Sequence, residues 1–120
     1  MDLINDIQML MEELTISIKK LRQTGNALAE AERDYKTTLR QEALKLRVEK
    51  DMPVTLINQI IYGIPEVADK RFKRDIAETM YNTNQEHINA TKLKLRLLES
   101  QLSREWGNIN NEWRILYNDR

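Results

Sequence analysis

The chain has no cysteine, two prolines, three glycines and one phenylalanine among its 120 residues. Without cysteine there is neither a disulfide framework nor a thiolate zinc site, and a reducing compartment is the natural setting. Scarce glycine, proline and aromatic residues argue against a turn-rich sheet protein. No apolar run approaches the roughly 20 residues that span a bilayer, so no membrane association is expected. The opening residues, Met1 to Ile7, lack the basic region and long apolar stretch of a signal peptide, which points to the cytoplasm. Charge of one sign is missing too. Nineteen basic residues balance nineteen acidic ones, which removes the overall attraction that most non-specific nucleic-acid binders use.

The equipment of catalysis is equally sparse. His87 is the only histidine, and Asn84 stands where a Glu-x-x-His metal pair would need its carboxylate. One histidine and no cysteine leave nothing around which a nucleophile and base could be ordered. Gly25, Gly63 and Gly107 lie too far apart to build a phosphate-cradling loop. No cofactor and no enzymatic activity are expected.

What is present is helix former. Asp, Glu, Lys and Arg make up 32% of the chain, among many Leu, Ile and Gln residues. In the first part, Ile4, Ile7, Met11, Leu14, Ile18, Leu21, Leu28, Tyr35, Leu39 and Leu46 follow an alternating three-four step, with Gly25, Glu32 and Glu42 at the remaining positions. The spacing predicts one helix over 2–50. Pro53 ends it, being unable to donate a backbone hydrogen bond and restricting Met52. A short helix over 53–62 follows, with Pro53 at its first position and Gly63 as a left-handed cap. Pro65 and Glu66 then open a helix over 65–117. Its apolar face is read as Val67, Ala68, Phe72, Ile76, Met80, Ile88, Leu95, Leu98, Leu102, Trp106, Ile109, Trp113 and Leu116.

The expected fold is therefore all-α: a single antiparallel helical hairpin of two long helices, coiled-coil-like in spacing, with a short helix at the turn. Reversal at residues 51–64 sets Leu3–Leu21 opposite Leu95–Leu116, and the main core is expected there, at the open end. Leu14, Ile18, Leu21, Leu98, Leu102, Trp106 and Trp113 are its candidate anchors, each tryptophan burying about 150–250 Å². Leu10, Ala27, Ala31, Leu44, Val48, Leu93, Leu97 and Ile115 fall off these seams. Two helices cannot cover them, so a homo-oligomeric helical bundle is expected.

Residues 40–74 hold eight basic side chains against five acidic ones, net +3, whereas 1–32 is net −3 with three against six. Arg47, Lys50, Lys70, Arg71, Lys73 and Arg74 form a candidate basic tip that could touch phosphate or an acidic protein face. The stretches Met52–Asp69 (MPVTLINQIIYGIPEVAD) and Lys92–Gly107 (KLKLRLLESQLSREWG) resemble small, uncharacterised helical proteins encoded by temperate phages and prophages of Gram-positive bacteria, over roughly residues 30–107. The resemblance implies a bacterial host cytoplasm and a protein that grips host or phage machinery, such as an inhibitor of a host defence or nuclease complex. The other classes left open are a nucleic-acid-binding accessory of phage replication or recombination using the basic tip, a component of the virion or its scaffold, and a small-molecule pocket around Asn84, His87 and Thr91.

Overall fold

The computed structural model describes residues 2–118, with side chains as far as Leu116. These residues form helix α1 (Leu3–Glu49), a short helix α2 (Val54–Ile60) continued by a 3-10 turn (Ile61–Gly63), and helix α3 (Pro65–Asn118). The fold is all-α, with no strand among the described residues. Tertiary contacts divide it into two compact units, one of Met1–Lys19 with Gln85–Arg120 and one of Lys20–Asn84. The second is called the reversal unit below.

Asp2 caps α1: its Oδ1 accepts from the N–H groups of Ile4 and Asn5 at 3.1 and 3.3 Å, satisfying donors that a helix start leaves orphaned. At the other end, Asp51 adopts the left-handed conformation at φ 48, a region that costs most side chains but that Asp tolerates. That twist lets the Met52 N–H reach back to Leu46 O at 3.2 Å. Arg47 Nη1 donates to Met52 O at 3.0 Å and ties the chain reversal to the last turn of α1.

Pro53 then acts as the N-cap of α2 and stands outside the helix proper, its carbonyl accepting from Leu56 and Ile57 at 3.0 Å. This corrects the first-position role expected for it. Gly63 does not supply the left-handed cap either: no glycine has positive φ, and the chain leaves α2 through a 3-10 turn closed by Ile64 N–H on Ile61 O. A tightening turn satisfies the same orphan carbonyls without a left-handed residue. Pro65 opens α3, where its missing N–H is no loss.

In the reversal unit α1 and α3 run antiparallel. Thr24 meets Asn84, Gly25 meets Tyr81, and Tyr35 meets Arg74, so numbers rise along one helix as they fall along the other. The buried cluster lies at the turn. Tyr35, Leu46, Ile57, Ile61 and Val67 form it, with Leu39, Ala43, Met52 and Ile64 packed against it. The expectation of a main core at the opposite end, anchored by tryptophans, is overturned. Trp106 is 54% exposed and Trp113 58%.

The seam of α1 also differs from the one the apolar spacing suggests. Leu3, Ile7, Leu10, Leu14, Ser17, Leu21, Thr24, Leu28, Ala31 and Tyr35 are buried or half-buried at strict four-three steps, while Ile4, Met11 and Ile18 are exposed one residue to the side. Ser17 and Thr24 hold seam positions that Ile18 and Gly25 were expected to fill. Burial of Thr24 is tolerated because its one hydroxyl hydrogen has acceptors within reach, Lys20 O at 3.3 Å and Leu21 O at 3.1 Å in its own helix and Asn84 Oδ1 at 2.9 Å across from it. On α3 the buried or half-buried positions are Val67, Lys70, Arg74, Ala77, Tyr81, Asn84, Ile88, Thr91, Leu95, Leu98 and Leu102, again at three-four steps. Phe72, Ile76 and Met80, read as core from their hydrophobicity, are exposed.

Candidate interaction surfaces

The six residues of the expected basic tip are mostly occupied within the chain. Arg47 braces the turn. Arg74 lies 4.8 Å over the Tyr35 ring and donates from Nε to Asp75 Oδ1 at 2.8 Å, a hydrogen bond that raises its already high pKa. Arg71 stands 5.2 Å over the Tyr62 ring, a second cation–π contact. Lys73 Nζ pairs with Asp69 at 3.2 Å, one helical turn away. Lys70 is half-buried on the seam and, with Lys73, borders a depression of about 190 Å³ that also holds Ala27, Glu30, Ala31 and Asp34. Lys50 is exposed just beyond α1. The basic side chains thus stitch aromatic rings and acids together, and their surroundings are not uniformly positive.

The polar stretch of α3 is not a wet groove throughout. Asn84 and Thr91 are buried; Thr24 Oγ1 donates to Asn84 Oδ1 at 2.9 Å in the reversal unit, and Thr91 Oγ1 donates to His87 O at 2.8 Å in the other. His87 has Nε2 3.0 Å from Glu13 Oε1, both side chains about half exposed. No group of three His, Cys, Asp or Glu residues among the described residues is placed to hold a metal ion. Among them, too, no helix is long and apolar enough to cross a membrane.

Apolar side chains define the remaining surface. In the reversal unit, Leu44 and Val48 are 63% and 71% exposed and, with Gln41, Lys45 and Glu49, line a shallow depression of about 330 Å³. Those five positions are the i, i+3, i+4, i+7, i+8 stripe of one helix face, the spacing by which helices dock. Val54, Leu56, Ile60 and Tyr62, in and beside α2, are exposed as well, while Ile57 and Ile61 face inward. In the other unit the exposed set includes Ile4, Met11 and Ile18 on α1 and Trp106, Ile109, Trp113 and Leu116 on α3. Of the expected anchors, Leu14, Leu21, Leu98 and Leu102 are half-buried, and Ile18, Trp106 and Trp113 stand on this outer surface.

No family model, curated protein or solved structure matches this chain.

Sequence reading located Leu44, Val48, Leu93, Leu97 and Ile115 correctly as side chains that two helices leave exposed. It placed Leu10 and Ala31 outside the seam, where both are half-buried. The bracing roles of Arg47 and Arg74 were missed. Their only signal was spacing: Arg47 lies in the last turn of α1, six residues before Pro53, and Arg74 shares the three-four repeat of the α3 seam.

Proposed function

We propose that this chain is a non-enzymatic interaction protein of phage or prophage origin, whose reversal unit grips a host or phage protein. A host defence or nuclease complex is the favoured class of target. The observation that carries this reading is the exposed Leu44–Val48 stripe on α1, beside the exposed Leu56 and Ile60 of α2. Apolar surface of that kind, rimmed by charged side chains, is a feature of protein-binding faces. The partner surface that complements it is a helix or edge with two aliphatic side chains one turn apart, flanked by charges of both signs that suit Lys45 and Glu49.

The test is capture from host lysate with the full chain and with a Leu44→Asp, Val48→Asp variant. A target retained by the first and lost by the second supports the reading. Retention of nothing above background, or equal retention by both, sinks it. Nucleic-acid binding is the weaker alternative, because Arg47, Arg71, Lys73 and Arg74 already have partners within the chain. It would require salt-dependent retardation of DNA or RNA that neutralising Lys50 and Lys70 weakens.

A further inference from the structure

Burial along α3 keeps the three-four repeat as far as Leu102, and every residue from Ser103 to Leu116 is exposed. Yet this terminal stretch does not read as a solvent-facing helix. Leu102, Trp106, Ile109, Trp113 and Leu116 recur at steps of four, three, four and three, which holds them on one face. Leu98 to Leu102 and Leu102 to Trp106 are two consecutive steps of four, a stutter that turns the apolar face roughly 50° away from the seam that α1 covers. The last four of these side chains are between 43% and 66% exposed.

We infer that this face is an interface with the same segment of a second copy, running antiparallel to it. Heptad spacing calls for another helix, and three features select this one. In an antiparallel pair, positions of the first kind meet positions of the second, so Trp106 lies against Leu116 of the second copy and Ile109 against its Trp113. Each layer then holds one large ring and one aliphatic chain; a parallel pair would stack ring on ring and leave the aliphatic layers underfilled. The segment carries Arg104, Glu105, Glu112 and Arg114, two charges of each sign, so two copies meet without net repulsion. The four side chains present roughly 500 Å² per copy, and the pair buries roughly 1,000 Å², the lower limit for a specific interface. Contacts this small are typical of weak, transient association, and a dissociation constant on the order of micromolar is expected. This surface lies in the other unit from the partner-binding stripe proposed above, and neither inference depends on the other.

The test is the mass of the full chain in solution, by light scattering or sedimentation, from roughly 1 to 200 μM, a range that brackets the expected constant. Dimerisation that rises with concentration, and is lost in Trp106→Glu and Ile109→Asp with helix content unchanged, supports the pairing. Monomer throughout, or dimer unaffected by both substitutions, overturns it. Orientation is read from introduced thiols, since the chain has none of its own. Mixed Ile109→Cys and Trp113→Cys chains should give predominantly the mixed disulfide under mild oxidation. Dimers of each variant with itself as the main products would mean a parallel pair and overturn the antiparallel geometry.

Discussion

At the scale of single residues, the positions that decide this structure are polar ones placed where an apolar side chain would be expected. Thr24 and Asn84 form a buried hydrogen bond at 2.9 Å inside a heptad seam, where changing either residue removes the link between the helices. Thr24→Val and Asn84→Leu should therefore each destabilise the chain by about 0.5–1.5 kcal/mol, and the two together should cost less than the single changes added. Urea unfolding of the two singles and the double closes that cycle, and strict additivity would mean that the hydrogen bond has no coupling energy. Asp51 is the other such residue. At φ 48 it occupies a conformation that glycine takes without penalty, so Asp51→Gly should raise stability by about 0.5–1 kcal/mol and Asp51→Val should lower it by more. A shift of the urea midpoint in the opposite direction for Asp51→Gly would show that the aspartate side chain contributes something the left-handed cap alone does not.

Among the elements, α2 and the turns around it carry the core, and the end of α3 does not. Ile57 and Val67 are buried in the cluster at the turn, whereas Trp106 is over half exposed. Truncating Ile57 to Ala should thus cost about 2–5 kcal/mol, and Trp106→Ala, at concentrations where the chain is monomeric, less than about 1 kcal/mol. Thermal melts of both variants beside the parent check the ranking, and an equal loss would place the tryptophan in the folded core after all. The breaks at Pro53 and at Gly63–Pro65 were legible because proline constrains the backbone locally, whatever the fold does elsewhere. The seam was less legible. Columns beginning at Leu3 and at Ile4 are both apolar at first, and the true one is disguised further on by Ser17 and Thr24. Hydrophobicity alone selects Ile18, and only the packing of the facing helix selects Ser17. In the same way Phe72, Ile76 and Met80 outrank Arg74, Ala77 and Tyr81 as core by composition, yet Arg74 sits over Tyr35, and the Tyr81 ring lies where a Cβ on Gly25 would touch it at 3.5 Å. Of the candidate surfaces, the off-seam apolar residues could be read from spacing, but the internal employment of the basic side chains could not, since it depends on which rings and acids the fold brings beside them.

For the whole molecule, balanced charge and abundant exposed apolar surface have a joint consequence. Net charge near zero gives copies little long-range repulsion, and exposed side chains such as Phe72, Leu93 and Trp106 give them reason to associate. Two regions should then respond differently to concentration. Amides around the turn cluster, in 35–46 and 57–67, are protected by packing internal to one chain and should exchange with solvent slowly at any concentration. Residues 103–116 are exposed, and their amides should exchange fast when dilute. If a second copy binds the end of α3, mass action stabilises that stretch as concentration rises, by RT ln(1 + [L]/Kd). Hydrogen exchange followed by mass spectrometry at two concentrations about a hundredfold apart should therefore slow for 103–116, by up to a hundredfold at saturation, and stay constant for 57–67. A virion component or scaffold would behave otherwise, slowing everywhere at once as large assemblies formed. Slowing confined to the last turns of α3 marks a discrete pair, because Trp106, Ile109, Trp113 and Leu116 keep heptad spacing there while exposed.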